Sequence, residues 1–319
     1  MRFGHFVLTA LCATSLGSLA FAQATDGALA LKFNYTTFPV SVSNAVAVGV
    51  EAINDSGAIS GYYTDTAGDT LGFLLPQSNG TIQILSNPAN TSTPSYTLAN
   101  QISANGTVFG EYYDTASNTY SGFTYLNGAY TPYNVPNEPQ YTTTGLYGGT
   151  DTGNLCGFFW PPPYTNLSAF VVRRGTLNAY SIGSSTTSYC VSMSAFGTAG
   201  IYVDSNGVNH GWTMNLAGKV TTIDYPGAAT TLGATPCAGN AGGTIVLGIN
   251  DLGDVSGHFW DSSYYEHGFL MTAAGKFYQL DVPGAFQTSG GGVNNKRQVV
   301  GHYAPDNTCG SAGYIAAGK

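Results

Sequence analysis

Charge is scarce in this chain. Asp, Glu, Lys and Arg together make 8% of its 319 residues, and Lys plus Arg number 9 against 17 Asp plus Glu. A formal charge of −8 with so few cations repels phosphate, so nucleic acid and anionic membrane surfaces are poor partners. Apolar runs are short as well. The run from Phe6 to Leu19 is too brief to span a bilayer, and nothing later approaches the roughly 20 residues that a transmembrane helix needs. Signatures of catalysis are missing: there is no Gly-x-Ser-x-Gly elbow, no phosphate loop and no dinucleotide fingerprint. Cysteine is sparse, and none of the 5 has the close paired spacing of a zinc site.

Arg2, the apolar run behind it and the small-x-small triplet Ala20-Phe21-Ala22 read as a secretory signal peptide over residues 1–22. Residues 23–319 are then expected to form a single exported, soluble domain. Cleavage would remove Cys12 and leave Cys156, Cys190, Cys237 and Cys309, an even count that suggests two disulfides in an oxidising compartment. Spacing alone allows three connectivities, and four unpaired buried thiols are the plainer alternative.

What the chain has in quantity is glycine, at 43, and tyrosine, at 22, among many Thr, Ser and Asn. This is the balance of strands and tight turns. One phrase recurs six times. It is clearest as Ile53-Asn54-Asp55-Ser56-Gly57-Ala58-Ile59-Ser60-Gly61-Tyr62-Tyr63 and as Ile249-Asn250-Asp251-Leu252-Gly253-Asp254-Val255-Ser256-Gly257-His258-Phe259. Its anchoring glycines, Gly61, Gly110, Gly157, Gly200, Gly257 and Gly301, are spaced by 49, 47, 43, 57 and 44 residues, the period of a four-stranded propeller blade.

Each copy divides into four strand-like pieces. Strand A alternates apolar residues, as in Val220 to Asp224; strand B leads into the Asn-x-x-Gly turn; strand C carries the Gly-x-aromatic step; strand D carries Gly-Phe, as at Gly268-Phe269. The B to C and D to A turns are tight and rich in Asn, Asp and Gly, whereas the A to B and C to D connections are long. If strands alternate in direction, all the long connections leave from one end of the blades. The A-like segment Leu31 to Pro39 stands alone ahead of the first B, C, D set, and the chain ends after a sixth D strand, Gly313 to Ala317. The expectation is an all-β, six-bladed β-propeller of four-stranded antiparallel blades, closed by the N-terminal strand pairing on the last blade. A stacked β-sandwich pair is the main rival.

The phrases Ile223-Asp224-Tyr225-Pro226-Gly227-Ala228 and Leu280-Asp281-Val282-Pro283-Gly284-Ala285, with Gly248-Ile249-Asn250 and His267-Gly268-Phe269, resemble the bacterial extracellular HAF-repeat family. The likeness is strong in the last two copies and weak in the third and fourth. Gly stands where the eponymous triplet has Ala, and Trp212 replaces Phe in one copy. The resemblance implies export and a β repeat fold, and brings no activity with it.

Register within the repeat separates architecture from candidate sites. Asp224 and Asp281 hold the same place before x-Pro-Gly and read as turn caps bonded to local backbone rather than as a catalytic pair. Asp65, Asp114, Asp204 and Asp261 follow strand C and read as Asx turns, with calcium binding the weaker alternative. His258, His302 and Glu111 share the middle position of the Gly-x-aromatic step. They form a weak candidate for a two-His, one-carboxylate metal site if strand C borders the central channel. His210 and His267 are most simply paired to backbone carbonyls.

What breaks register is the long-loop chemistry of the third and fifth copies: Trp160 and Tyr164 in one, and Trp260, Asp261, Tyr264, Tyr265 and Glu266 in the other. Flat aromatic faces ringed by hydrogen-bonding groups suit sugar rings or extended peptides, although packing over adjacent blades is the favoured account of them. The alternation of strands also puts Cys237 and Cys309 on the long-loop end of neighbouring blades, and Cys156 and Cys190 in neighbouring blades, so those two pairs are the expected disulfides.

These observations lean away from catalysis. They point to a secreted, non-enzymatic binding module, expected to be a monomer without cofactor, whose long-loop face takes carbohydrate or protein. Two rivals remain: an exported glycan-active hydrolase or lyase using Glu51, Glu111 or Glu266, and a structural cell-surface repeat protein.

Overall fold

A computed structural model describes residues 31–318 apart from 41, 43, 77–79, 137–141, 161–166, 184, 186, 238 and 310. The signal-peptide segment and Tyr164 lie outside the described residues. Those residues form strands and turns, and there is no helix among them. Six four-stranded antiparallel sheets follow one another along the chain. Their innermost strands are Ala45–Ile53, Thr97–Ile102, Thr143–Gly149, Ser188–Met193, Thr244–Ile249 and Gln287–Val293. Each sheet packs on the next, and the sixth on the first, which closes a six-bladed β-propeller. Sequence strands B, C and D are therefore the first three strands of a blade counted from the axis, and A is the outermost strand of the preceding blade.

Closure occurs as the orphan strands require. Phe33–Phe38 lies antiparallel on Ala312–Gly318, in register from Phe33 opposite Gly318 to Phe38 opposite Gly313, so the outer strand of the last blade comes from the start of the chain. Neither partner is left with an open edge on that side.

The anchoring glycines have a steric origin. Each faces a buried aromatic on the third strand, as Gly61 faces Phe73, Gly110 faces Phe123, Gly200 faces Trp212 and Gly257 faces Phe269. Opposite each glycine the innermost strand carries a β-bulge, whose extra residue is Glu51, Asn100, Tyr147, Val191 or Leu247 in the first five blades; the sixth inserts Gly291 and Gly292. The bulged strand swings a carbonyl towards the glycine. A Cβ on Gly257 would sit 2.0 Å from the Ile245 oxygen, and one on Gly110 would sit 2.0 Å from that of Leu98. Only glycine fits between the bulge and the aromatic ring.

The Asn-Asp pair of the repeated phrase has two functions. Asn250 Oδ1 accepts from the backbone N–H groups of Leu252 and Asp254, closing its own hairpin, while its Nδ2 donates to the Asn294 carbonyl of the next blade at 2.9 Å. Asn54 repeats this towards Ser103, and Asn294 towards Asn54. The Asp beside it accepts across the opposite seam, from the preceding blade: Asp55 receives Asn295 N–H at 2.8 Å, and Asp251 receives Ala195 N–H at 2.7 Å. The phrase is thus a chain of bonds between blades around the short-turn end.

One element was not anticipated. The connection into the fifth blade contains a small hairpin, Gly233–Thr235 with Gly239–Ala241. Cys237 at its tip is bonded to Cys309 in the C to D loop of the sixth blade, with Cα atoms 5.5 Å apart, as the strand alternation implied. The second expected bridge is absent. Cys156 and Cys190 are free, fully buried thiols in one core cluster with Trp212, Met193 and Met214, where they pack as small apolar groups, the Cys190 thiol donating to the Ser192 carbonyl at 3.9 Å.

Candidate functional site

The long-loop aromatics are architecture more than platform. Trp260, which the sequence offered as an exposed face, is 5% exposed and packs with Val191, Ile201, Ala241 and Ile245, its edge against His258. It ends a strand rather than starting a loop, so its side chain turns inwards. Tyr264 lays its ring over Gly233 of the added hairpin and bonds Thr231 Oγ1 at 2.9 Å. Asp261 Oδ1 accepts from Ser263 and Tyr265 N–H, the expected Asx turn; Asp65, Asp114 and Asp204 do the same in their own blades. Tyr265 stays 38% exposed, edge-on to Phe286. Trp160 ends the second strand of the third blade, half-buried.

Two histidines overturn the backbone-pairing expectation and, with it, the turn-cap role of Asp224 and Asp281. His267 Nδ1 bonds Asp281 Oδ1 at 2.7 Å and its Nε2 faces Asp261 at 3.5 Å; His210 stands likewise between Asp224 at 2.9 Å and Asp204 at 3.8 Å. The third and outer strands set each His beside the Asp that ends the outer strand, and the C to D turn brings the second carboxylate. Each ring also stacks on an aromatic of the second strand, Phe259 or Tyr202. The Asp281 bond raises His267 against a smaller opposition from burial; for His210 burial is the largest single effect and opposes charge, but Asp224 and Asp204 together outweigh it and raise the ring.

The convergence that matters lies on the axis. In the middle of the Gly-x-aromatic step the six second strands present Tyr62, Glu111, Phe158, Ile201, His258 and His302. The bulges add Glu51, Tyr147, Val191 and Leu247. Tyr62, Glu51, Tyr147, Tyr189 and His302 are half-buried although they belong to the two innermost strands. Blades four and five supply an apolar wall of Val191, Ile201, Ile245 and Leu247, against which Tyr147 and Tyr189 of the third and fourth blades pack. The sixth, first and second blades supply a polar one.

Within that wall Glu111 is 4% exposed, and its Oε1 accepts from Tyr96 Oη at 3.1 Å. Its Oε2 has no hydrogen-bond partner; the Tyr147 hydroxyl is near enough to favour its charge without completing a bond. Burial pushes the Glu111 carboxyl from the usual 4.5 up to about 7, against the pull of both hydroxyls. Glu51 is raised to about 7 by burial alone. Burial and the nearby carboxylates hold Tyr62, Tyr96, Tyr147 and Tyr189 protonated, Glu51 and Glu266 acting on Tyr62, and Glu111 on the other three. Two glycines make the room: a Cβ on Gly49 would sit 2.9 Å from Glu51 Oε1, and one on Gly145 would sit 2.5 Å from Glu111 Oε2.

The weak metal candidates Glu111, His258 and His302 do not come together. His258 Nε2 faces Glu266 at 3.6 Å, and Glu266 and His258 are the groups that bear on His302, whereas Glu111 points between Gly145 and Tyr147. No group of three or more metal-ligating side chains occurs among the described residues. Burial lowers His302, keeping it neutral.

Towards the short-turn end the axis is closed. Gln101 Nε2 donates across it to Ser192 Oγ at 3.1 Å, Gln101 Oε1 accepts from Gly149 N–H, and Ser192 Oγ also accepts from Ile249 N–H. The space left there is about 20 Å³, enough for one water. On the outside of that end a shallow apolar hollow between Phe196 and Leu216 contains one ionisable group, Asp251, already bonded to Ala195 N–H.

No family model matches the chain, and no curated protein matches it. Among solved structures, TolB from Acinetobacter baumannii is similar with a TM-score of 0.51 at 10% identity, over 82% of this chain and 64% of that one. That likeness is one of fold. Trypanosoma rangeli sialidase is more loosely similar, with a TM-score of 0.48 at 10% identity over 91% of this chain and 60% of that one. The Aleuria aurantia lectin, described as a six-bladed β-propeller with a novel fucose recognition mode, has a TM-score of 0.43 at 11% identity over 89% and 97%. These two looser likenesses carry no argument about function.

Proposed function

We propose that this chain is a secreted binding module for carbohydrate, with the ligand taken at the axis from the long-loop end. One observation carries the reading: Tyr62, Glu51, Tyr147 and Tyr189, on the two innermost strands, stay half-buried, and the Tyr147 and Tyr189 rings pack on the apolar side chains Val191, Ile201 and Ile245 beside them. Sugars present the same pairing of apolar ring faces and edge hydroxyls. The scaffold is rigid there, since the wall residues sit on strands, or for Tyr96 on a bridge at a strand's start, and the far end of the axis is bonded shut. A disulfide among the long connections accords with export. A glycan array probed with the purified chain, followed by calorimetry on any hit, tests this. Saturable binding that is lost on Tyr147→Ala supports it; no binding to any glycan overturns it.

A second reading has one observation in its favour. Two carboxyl groups raised to about 7 are in the range of general acids and bases, so a glycan hydrolase or lyase on this scaffold is the enzymatic alternative. Release of reducing ends from a bound glycan, abolished by Glu111→Gln, would favour it over simple binding.

A further inference from the structure

Charge in this chain is segregated by end. Every described Lys and Arg lies at the short-turn end: Lys32 at the start of the closing strand, Arg173 and Arg174 in the third blade's D to A turn, Lys219 and Lys276 in those of the fourth and fifth, and Lys296 with Arg297 in the sixth blade's B to C turn. The long-loop end has none among the described residues, and it collects the carboxylates at the ends of strands A and C, such as Asp65, Asp114, Asp204, Asp224, Asp261 and Asp281. The short-turn carboxylates are Asp55, Asp151, Asp251 and Asp254. Asp254 is buried against Arg297, and Asp251 accepts from Ala195 N–H and from Asn295 Nδ2. Strands of 6 or 7 residues keep the two ends about 20 Å apart, more than twice the screening length of about 8 Å at physiological salt. The short-turn end therefore acts as a cationic surface in spite of the overall charge of −8.

The same end exposes apolar side chains where a tight turn ordinarily carries polar ones. In the B to C turn the first three blades have Ser56, Asn105 and Thr152, whereas the fourth has Phe196 and the fifth Leu252. The fourth D to A turn adds Leu216, with Val220 just after Lys219. Leu216 is 65% exposed, Leu252 50%, Phe196 45% and Val220 38%. The Phe196 ring lies over Gly253, where an added Cβ would come within 2.7 Å of it, so the turns of the fourth and fifth blades meet across one seam. Phe196 and Leu216 line one hollow with Ala195 and Ala217. Exposed Lys219 and Lys276 belong to these same two blades, and the blades on either side present Arg174 and Lys296.

Protruding apolar tips framed by cations complement a surface that is anionic outside and apolar beneath, which is that of a bilayer containing acidic phospholipid. The long-loop end of a second copy would match the charge, but the exposed large apolar side chains there are Val46 and Tyr265, on the first and fifth blades, so it does not match the apolar tips. We propose that the short-turn end of blades four and five docks this chain on an anionic phospholipid membrane, with Phe196, Leu216 and Leu252 among the headgroups and Arg174, Lys219, Lys276 and Lys296 on lipid phosphates. Docking in this way turns the long-loop end away from the bilayer, so it is independent of what that end binds.

Cosedimentation of the full chain with vesicles of equimolar phosphatidylglycerol and phosphatidylcholine, and with vesicles of phosphatidylcholine alone, tests it. The chain is expected to partition roughly tenfold or more better onto the acidic vesicles, and more strongly at low than at physiological salt. Leu216→Ser together with Leu252→Ser should lower partitioning onto the acidic vesicles roughly tenfold or more, through lost apolar burial. Lys219→Gln with Lys276→Gln should lower it by a similar factor there and leave the neutral vesicles unchanged. All four residues are exposed, so thermal melts of both variants should match the parent. Absence of binding to either vesicle, equal binding to both, or undiminished binding by the double leucine variant overturns the proposal. Self-association in analytical ultracentrifugation that the double leucine variant loses, in a parent that leaves vesicles unbound, assigns the face to a second copy and overturns it as well.

Discussion

Asn294 donates from Nδ2 to the carbonyl of Asn54 at 3.0 Å, joining the last blade to the first across a sequence separation of 240. The same side chain accepts from Lys296 and Gln298 N–H, so one residue closes both its own hairpin and the ring. Asn294→Ala is expected to cost about 2–3 kcal/mol, since it strips a buried seam of several bonds at once. Asn215→Ala removes only the local turn bonds to Ala217 and Lys219 N–H and should cost about 1 kcal/mol. Urea denaturation of the two variants checks the difference.

The bulge opposite each anchoring glycine makes that position intolerant. Gly257→Ala would place a Cβ 2.0 Å from the Ile245 oxygen and is expected to lose at least about 3 kcal/mol. Gly57 has a positive φ of 86° but nothing within 4 Å of an added Cβ, so Gly57→Ala should cost about 1 kcal/mol from backbone strain alone. Thermal melts of the pair separate crowding from strain.

The repeat period, the orphan first strand and the long-loop end were legible in the sequence because each is a matter of spacing and turn chemistry. The reasons behind the phrase were not. Asn250 reads as a turn residue from its neighbours, yet its bond to Asn294 depends on how the blades stack. Asp224 and Asp281 look like turn caps in one dimension, whereas the third strand brings His210 and His267 beside them. Glu51, Glu111 and Glu266 are legible as non-repeating carboxylates, and Glu111, His258 and His302 share one position of the repeat. His258 nevertheless faces Glu266 of its own blade instead of Glu111. Tyr62, Tyr96, Tyr147 and Tyr189 escaped notice among 22 tyrosines, because a β-bulge leaves no mark in the sequence and only the identity of the innermost strand shows which side chains reach the axis.

Stability should fall as pH rises through neutrality. Glu51 and Glu111 hold their protons more tightly folded than unfolded, so folding is favoured while both are protonated and is penalised as pH climbs from 4.5 through about 7. For Glu111 the penalty is about 3 kcal/mol. His267, raised by its Asp281 bond, adds stability that is full below its unfolded value near 6.5 and is lost as pH passes its higher folded value; His210 acts the same way. Asp254, held low by Arg297 despite burial, works oppositely and loses its contribution only in acid, below the ordinary 3.8. Melting temperatures are therefore expected to peak at mildly acidic pH, and Glu111→Gln should flatten the fall between about pH 5 and 8. A parent protein more stable at pH 8 than at pH 5.5 would contradict this.

Cys237 and Cys309 enclose a sequence separation of 72 residues, and replacing both with Ser should lower unfolding free energy by about 2–4 kcal/mol in chemical denaturation. Peptide mapping without reductant is expected to link only these two. Cys156 and Cys190, buried and with the Cys156 thiol raised by desolvation, should alkylate only after denaturant is added.

A crystal structure of the chain with a sugar that it binds tests the axial site most directly. The account places the sugar against the half-buried Tyr62, Tyr147 or Tyr189, with a hydroxyl within about 3 Å of a Glu51 carboxylate oxygen. A sugar bound only on the outer rim, beside Tyr265 for example, with the axis holding water alone, would contradict it.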